Sequence, residues 1–537
     1  MKQILPCFLV LMAAMWPVTS SSQTYSIYNN TEFDPITREL YKPGLNVHTS
    51  VRPYRMDQLN KYLNTDSILY RGIVPREGHQ NIWRRFLHAD LFKWEEKGDN
   101  PITIRINPLF NFELGKDQKD AAGTWVNTRG IMVEGQLGKN LSFYGDLYEN
   151  QGVYPSYLHD FIEKRGVVPG QGRAKRFGDN GYDFSQSTGY LSYNTGPWIN
   201  LKLGYGKNFI GDGHRSLLLS DNTFSYPYLK MNTSFWKVNY MVMVSQFNHL
   251  ENTFRGGDER FEYKYGVFHY LTLNLGKRVS FGIFESVIWA AEDETGHRGI
   301  DLSYLVPVVV YRPVEYALGS PDNVTMGANL KVILWPGAAF YGQFVMGEFK
   351  QDEVFKGTKW WANKQGFQTG LKAYNFLGIQ NLDVQTEYNQ VRPYTYSHYY
   401  PLTNYGHFNQ ELAHPLGSSF RENVSFVRYR KGRWHINLET MYAIHGKDFG
   451  DGVSWGGDIF MPSVDRPFSH GHEIAQGLRT TIKHAAGSLS YLINPKNNMN
   501  ISVGMRNRSE TNSEYTHNNQ HLWVSLRTSL SNFYYNF

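Results

Sequence analysis

The stretch RWHINLETMYAI, residues 433–444, alternates between apolar and polar side chains along most of its length. Ile436 and Leu438 are apolar, whereas His435 and Asn437 beside them are polar. Because successive side chains of a β-strand point to opposite faces, a period of two predicts a strand with one apolar and one polar face. A strand of about ten residues is long enough to cross a bilayer at a tilt.

The same alternation recurs from residue 102 onward, for example in residues 141–149 and 198–207. Very short turns, such as residues 138–140, alternate with long loops rich in Gly, Asn and Asp. A soluble sandwich would also alternate, but the strand length and the turn asymmetry are typical of a membrane barrel. We therefore predict an all-β fold, a transmembrane antiparallel β-barrel of about 18 strands, over residues 101–537.

The end of the chain alternates as well, and we predict the last strand over residues 520–536. Phe533 and Tyr535 occupy alternate positions there, and Phe537 follows at the same spacing. A terminal aromatic strand resembles the recognition signal of outer-membrane barrel assembly, so the barrel-assembly machinery is an expected partner during biogenesis. Outer-membrane lipid is the other expected partner, and the barrel must close because an open sheet edge would leave backbone groups unpaired in lipid.

The first residues have the pattern of an export signal. Lys2 supplies a positive charge, Ile4 to Trp16 is almost entirely apolar, and small residues follow it. The apolar run is too short for a membrane-spanning helix, so we predict a Sec signal peptide over residues 1–23 and location in the cell outer membrane. Cys7, the only cysteine, lies inside that segment, which leaves the mature chain without a disulfide.

Residues 24–100 differ from the rest of the chain, because their apolar residues recur at helical spacing. We predict helices at Met56–Leu63 and at Asn81–Lys97, before the break at Pro101. The first barrel strand follows immediately, so we interpret residues 24–100 as a small, partly helical cap on the periplasmic side.

Composition argues against several classes of function. The net charge of +6 is modest for 537 residues, and the sequence has no concentrated basic stripe of the kind that nucleic-acid binding requires. No spacing of Ser, His and acidic residues assembles a catalytic triad. We therefore predict a protein that is not an enzyme, has no cofactor and does not bind nucleic acid.

Two segments, one rich in histidine and one rich in aspartate, contain residue types that can bind metal ions. His470, His472 and Glu473 form a weak zinc pattern without a placed third ligand. The aspartates of residues 448–458 do not have the spacing of a known calcium loop. We predict no metal site.

Two long loops carry the candidate ligand-binding residues. The Gly-rich segment over residues 206–222 could place polar side chains against sugars, or could fold into the barrel as a plug. The loop over residues 151–183 combines aromatic and cationic side chains, which suit sugar stacking and acidic polysaccharide, or could be a solvated loop without a ligand. The candidates are Tyr154, Arg173, Arg176, Lys207, Asn208, Asp212, His214, Arg215 and Asp221.

A further set of charged residues falls on the polar side of the predicted strands, and we expect these side chains to face the lumen because lipid would penalise them. They could line a selective pore or form an ion-pair network that fills the barrel, and we favour the filled lumen. The set comprises Arg105, Glu113, Asp146, Lys202, Asp383, Glu387, Arg433, Glu439 and Arg506.

Two motifs carry a family resemblance. GKNFIGDGHRSLLLSDN at residues 206–222, and WRRFL at residues 83–87 leading into NPLFNF at residues 107–112, resemble the Wzi-type capsule assembly family, in its Bacteroidota branch that includes RemB-like gliding-motility proteins. The resemblance implies an outer-membrane barrel of 18 strands with periplasmic helices. It also implies a lectin-like role in holding exported polysaccharide at the cell surface.

Three hypotheses for function follow. The leading one is a non-enzymatic, lectin-like protein for attachment or assembly of surface polysaccharide, with that polysaccharide as its partner. The second is a gliding-motility or secretion accessory barrel that binds protein partners. The third is a porin-like transport channel with an open lumen.

Overall fold

The computed structural model describes residues 30–70, 73, 81–118, 123–250, 261–293, 296–306 and 322–537. The predicted signal peptide, residues 1–23, lies outside these described residues. Within them, no helix combines the length and the apolar character that crossing a bilayer requires.

Eighteen long antiparallel strands form a closed barrel, in which each strand pairs with the next and the last pairs with the first. The predicted all-β barrel of about 18 strands is therefore confirmed. The strands are β1 Ile102–Asp117, β2 Gly123–Leu137, β3 Leu141–Val153, β4 Gly181–Asn194, β5 Ile199–Gly206, β6 Tyr226–Phe235, β7 Val238–Asn248, β8 Tyr263–Leu275, β9 Val279–Ala290, β10 Asn323–Trp335, β11 Ala338–Met346, β12 Gln365–Tyr374, β13 Leu382–Val391, β14 Phe420–Lys431, β15 Trp434–Lys447, β16 Leu478–Asn494, β17 Met499–Thr511 and β18 Thr516–Arg527.

Short turns join the strands at one end of the barrel, here called the short-turn end, and long loops join most of them at the other, the long-loop end. Short strands and helices lie in the segments between the barrel strands and before the first of them. They are the strands Val51–Arg52, Phe92–Glu96, Lys175–Phe177, Phe209–Ile210, Glu292–Asp293, Gly296–His297, Gly406–His407 and Gln410–Glu411, and the helices α1 Asn30–Leu40, α2 Met56–Asn60, α3 Thr65–Leu69, α4 Ile82–His88, α5 Ser156–Arg165 and α6 Gln351–Phe355.

The outer face of the barrel exposes large apolar side chains at alternate strand positions, such as Leu114, Leu203 and Leu438. Such a continuous apolar surface is unfavourable in water and favourable against hydrocarbon. Exposed aromatic residues, including Trp198 and Trp434, lie at the short-turn end of this surface, as in the aromatic girdles of membrane barrels. The outer face therefore has the chemistry of a lipid-facing belt.

The inner face is polar, and the charged residues predicted to face the lumen do so. Arg105 pairs with Glu134 at 3.3 Å, and Asp383 pairs with Arg38 at 2.7 Å. The carboxylate of Asp146 accepts a hydrogen bond from Thr188 Oγ1 at 2.6 Å. These contacts pair inward charges with other protein groups inside the lumen, which agrees with the second of the two arrangements predicted for these residues.

The described residues 30–70, here called the N-terminal segment, cover the short-turn end, and part of this segment enters the lumen. Gly44 N donates to the Lys277 carbonyl at 3.0 Å, and Asn46 donates to the Trp236 carbonyl at 2.6 Å, so this segment contacts two short turns. Val51–Arg52 then pairs with Phe209–Ile210 inside the barrel. The segment thus reaches from the short-turn end to the core of the lumen.

The helices predicted in this segment are only partly correct. The first, predicted at Met56–Leu63, is present as Met56–Asn60. The second, predicted at Asn81–Lys97, ends at His88, and Phe92–Glu96 is a strand that pairs with β1. The physical reason is that Phe92–Glu96 alternates between aromatic and charged side chains, as a strand does. It pairs with the part of β1 that β18 does not reach.

The predicted last strand, residues 520–536, is wrong in its second half. Strand β18 ends at Arg527, paired with Asn111 of β1. The far part of the β1 edge, Ile102–Ile106, is already paired with Phe92–Glu96, so β18 cannot continue along the whole of β1. Residues 528–537, here called the C-terminal segment, turn into the lumen, where Arg508 donates to the Phe537 carbonyl at 2.7 Å.

Candidate functional site

The Gly-rich loop between β5 and β6, residues 207–225, folds into the lumen and is called the plug loop below. Leu217, Leu218 and Leu219 are fully buried in it and pack against inward apolar residues of β7 to β9, which include Met243, Phe268 and Phe284. Gly327 leaves room for this packing, since a Cβ there would lie 2.4 Å from Leu218 Cδ2. The plug loop therefore has the plug arrangement, the second of the two predicted for it.

Asp212 lies at the centre of the plug loop and is fully buried. Its carboxylate accepts hydrogen bonds from Tyr41 at 3.2 Å, Thr49 at 2.5 Å and Asn329 at 3.0 Å. Burial alone would raise the pKa of Asp212, but the Lys331 ammonium and the hydrogen bonds from Thr49 and Asn329 hold it below its ordinary value. The side chain therefore fastens the plug loop to the N-terminal segment and to the barrel wall.

Arg215 forms a buried ion pair with Glu422 of β14 at 3.1 Å. The same guanidinium donates to Asn536 Oδ1 of the C-terminal segment at 2.7 Å. Glu422 also contacts His414 Nε2 at 2.7 Å. The ion pair thus joins three parts of the chain that are far apart in sequence.

The other predicted residues of the plug loop are also engaged by protein groups. Lys207 donates to the Gly170 carbonyl at 2.6 Å, and Asn208 accepts from Lys230 at 2.7 Å. Asp221 accepts from Tyr534 at 2.7 Å. A sugar could reach these side chains only by displacing their protein partners.

His214 differs from its neighbours in the plug loop. Its backbone N–H donates to Glu387 at 2.7 Å, while its ring lies between Phe426 and Tyr534, with centroid distances of 4.4 and 5.2 Å. Neither ring nitrogen has a hydrogen-bond partner within the described part of the chain. Burial, reinforced by Arg215, lowers the pKa of His214 well below its ordinary value, so the ring is neutral and packs as an apolar group.

The three candidates outside the plug loop lie near or in the loop between β3 and β4. Tyr154 is buried in an aromatic cluster with Tyr182, and the Arg173 guanidinium lies 5.5 Å from the Phe261 ring centroid. Arg176 pairs with Glu163 at 2.6 Å, and its side chain is 68% exposed. Among the nine predicted site residues, all of which are described, Arg176 alone is classed as exposed.

Sequence reasoning missed a cluster of aromatic rings at the long-loop end, here called the loop-end aromatic cluster. Its rings meet from three separate loops: Trp361 and Tyr394 are 6.1 Å apart, Tyr394 and His472 5.1 Å, and His472 and Phe468 4.5 Å. The members are Trp360, Trp361, Tyr394, Trp455, Phe468 and His472. The paired tryptophans in a long loop, where no strand needs them, were the signal that could have found it.

Cations accompany these rings. The Arg466 guanidinium lies 4.2 Å from the Trp361 centroid, and the Lys364 ammonium 5.3 Å. The Lys350 ammonium lies 5.7 Å from the Trp360 centroid. Backbone hydrogen bonds, such as Gly471 N to the Thr358 carbonyl at 3.0 Å, tie the contributing loops together.

The chemistry of the loop-end aromatic cluster suits an amphipathic ligand with negative charge. Phe468 is 41% exposed, and Trp360 and Trp455 are partly exposed, so ring surface is accessible. Aromatic rings offer rigid apolar contact area, and neighbouring cations offer strong hydrogen bonds to carboxylates. A sugar ring that bears a carboxylate would meet both requirements.

The histidine and aspartate segments considered as metal sites have other contacts. His470 lies 3.5 Å from Glu353, His472 contacts the Phe468 carbonyl at 2.8 Å, and Glu473 pairs with Lys359. Asp458 accepts from Arg165 at 3.2 Å. Over the described ranges, no three His, Cys, Asp or Glu side chains are grouped as metal ligands would be.

Glu411 lies among the loops at the long-loop end, and its surroundings change the pKa of its carboxyl group. It is 3.6 Å from Arg165, which also pairs with Asp458. Burial raises the pKa of Glu411 from its ordinary value of 4.5 to about 7; Arg165 opposes this shift and Asp458 adds to it. The folded protein therefore keeps a proton on Glu411 that the unfolded chain releases.

We expect the melting temperature to fall as pH rises from about 5 to about 8, because the folded state binds more protons than the unfolded state in that window. Glu411→Gln, which keeps the neutral shape, should reduce this fall. Glu163→Gln, at the exposed pair with Arg176, should leave the fall of the melting temperature with pH unchanged. An identical pH profile for Glu411→Gln and the unmodified protein would contradict the assignment.

Known proteins are similar to this chain in structure, whereas comparisons of its sequence find no match. No family model and no curated relative matches the sequence. Solved structures do match, among them one described as an outer-membrane β-barrel.

The structure is similar to Wzi of Escherichia coli, described as an outer-membrane protein involved in group 1 capsule assembly and as a carbohydrate-binding β-barrel. The match has a TM-score of 0.56 at 13% identity and covers 94% of this chain and 100% of that chain. Acinetobacter baumannii OccAB4 matches with a TM-score of 0.41 at 8% identity, over 81% of this chain and 99% of that one. Pseudomonas aeruginosa OpdO matches with a TM-score of 0.42 at 12% identity, over 80% and 97%. At 13% identity the likeness to Wzi shows a shared fold alone.

Proposed function

We propose that this protein is an outer-membrane barrel that binds surface polysaccharide with its long-loop end and has no chemistry of its own. In this proposal, a signal peptide at residues 1–23 directs export, the N-terminal segment faces the periplasm, and the long loops face outward. The barrel-assembly machinery would insert the chain. The loop-end aromatic cluster is the observation that carries the proposal.

Three features support binding at the loop-end aromatic cluster. Its rings are held by backbone hydrogen bonds between separate loops, so the surface is largely formed before a ligand arrives, which lowers the entropy cost of binding. The Arg466 guanidinium lies beside the rings, which favours acidic sugars. The shared fold with Wzi, whose description names carbohydrate binding, agrees with the same class of ligand.

The filled lumen supports attachment over transport. The N-terminal segment, the plug loop and the C-terminal segment meet inside the barrel through Asp212 and Arg215. An 18-strand barrel is wide enough for a channel only when it is not blocked. The contacts of the described residues favour neither the gliding-motility nor the secretion role.

Binding of surface polysaccharide from the host cell to the purified protein tests the proposal. We expect Trp360→Ala and Phe468→Ala together to weaken binding about tenfold or more, because stacking on one ring is worth roughly 1 kcal/mol or more. Isothermal titration calorimetry or a glycan array would measure the change.

Phe355→Ala is the matched control. Phe355 is an aromatic residue at the same end of the barrel, is 79% exposed and lies outside the loop-end aromatic cluster, so its removal should leave binding unchanged. Equal loss in both variants would indicate nonspecific adhesion. Full binding by the double variant would remove the loop-end aromatic cluster from the site.

A further inference from the structure

A cavity of about 230 Å³ lies at the short-turn end of the lumen, against the inner wall of β14 to β18. It is at the opposite end of the barrel from the loop-end aromatic cluster. Small side chains, including Ser488 and Ser490, leave the space open. The volume corresponds to about seven or eight waters at ~30 Å³ each, which is the size of one monosaccharide or one phosphate group with its waters.

The charge of the cavity lining is one-sided. Arg430, Arg433 and Arg527 line it together with His435, and no carboxylate is among the described residues that do so. Placing several cations around a partly enclosed space is costly unless an anion compensates them. The lining therefore selects for an anion.

Two of these guanidiniums show how an anion would be held. Arg433 donates to the backbone carbonyls of Leu492 and Ile493 at 2.9 and 2.7 Å, which fixes the orientation of its planar group. The Arg527 guanidinium makes no hydrogen bond or ion pair with the described residues, so its donors are available to a ligand in the cavity. A planar guanidinium binds a carboxylate or a phosphate through two parallel hydrogen bonds.

Neighbouring carboxylates offset the charge of the lining only in part. Asp383, on β13, is engaged by Arg38 at 2.7 Å. Glu113 lies opposite Ser525, two positions along the wall from Arg527, and acts on the Arg527 charge without a direct ion pair. Three guanidiniums line the cavity, so the lining keeps a net positive charge.

We propose that this cavity is a binding site for a small organic anion of sugar size, recognised through a carboxylate or a phosphate group by Arg527 and Arg433. The site is distinct from the polysaccharide surface proposed at the long-loop end. An anionic sugar unit or a phosphate group presented from the short-turn side would fit the same chemistry.

Calorimetry on the purified full-length protein in detergent tests the proposal with three probes: glucuronate, inorganic phosphate and neutral glucose. We expect glucuronate or phosphate to bind and glucose not to bind. Glucuronate alone would identify a sugar carboxylate as the ligand group, and phosphate alone would identify a phosphoryl group. Binding of none of the probes, or equal binding of glucose, would overturn the proposal.

Two variants locate the binding. Arg527→Gln should weaken anion binding about tenfold or more, since a hydrogen bond to a charged group is lost. Ser488→Leu should weaken it by filling the cavity while every arginine remains. Arg479→Gln, which removes an exposed arginine from β16, is the charge-matched control and should bind as the unmodified protein does.

The proposal fails if both cavity variants bind the anion as tightly as the control. Migration of the unheated protein on a gel would verify that each variant retains a folded barrel. Trp360→Ala with Phe468→Ala should leave anion binding unchanged, so failure of the polysaccharide proposal and failure of this one give different results.

Discussion

Glu422→Gln is expected to lower the free energy of unfolding by about 3–5 kcal/mol, because it leaves the Arg215 guanidinium buried without a counter-charge. The two side chains are 0% and 1% exposed, so water cannot replace the lost carboxylate. Unfolding by urea in detergent micelles, followed by tryptophan fluorescence, would measure the change.

A double-mutant cycle separates the ion pair from other effects of the substitution. Arg215→Met with Glu422→Gln should cost less than the sum of the two single changes, because removal of both charges leaves none unpaired. Arg176→Gln, at an exposed pair, should stay within about 1 kcal/mol of the unmodified protein. Additive costs in the cycle would show that the Arg215–Glu422 contact does not stabilise the plug loop.

Replacing residues 208–224 with a short Gly-Ser linker is expected to convert a closed barrel into a conducting one. The change removes the three buried leucines, together with Asp212 and Arg215, the side chains through which the other lumen segments are fastened. Planar-bilayer recordings should show no steady current for the unmodified protein and steady, large current for the variant.

A second variant keeps the test valid if the protein with the replaced loop does not fold. Asp212→Ala with Arg215→Ala keeps the loop at full length and should give intermittent openings. Replacement of α6, Gln351–Phe355, by a linker of equal length is the control, since that helix has no buried residues and its loss should leave the barrel closed. Equal current from all variants would show that the plug loop does not close the lumen.

The strands and their inward faces could be predicted from the sequence because a period of two is a local property. Arg433, Glu439 and Arg506 face the lumen as their positions in the alternation require. The strand at Phe92–Glu96 is predicted as helix because Phe92 continues the helical spacing of Trp83 and Phe86. Its partner, the edge of β1, decides between them and is not visible in the local pattern.

The loop-end aromatic cluster and the path of the C-terminal segment could not be predicted in the same way. Trp361, Tyr394 and His472 come together from three loops whose mutual positions depend on closure of the whole barrel. Phe533 and Tyr535 alternate as strand residues would, but the β1 edge that they would need is already occupied. Local periodicity does not report which edges are free.

The contacts that join the lumen segments to the barrel wall should make unfolding of the protein cooperative. Asp212 is bound by Thr49 from the beginning of the chain, and Arg215 is bound by Asn536 from its end. The wall and its filling therefore share stabilising contacts in the unmodified protein, so heating should disrupt both together. Thermal denaturation should accordingly proceed as one transition, with the loss of lumen contacts and the loss of strand signal at the same temperature.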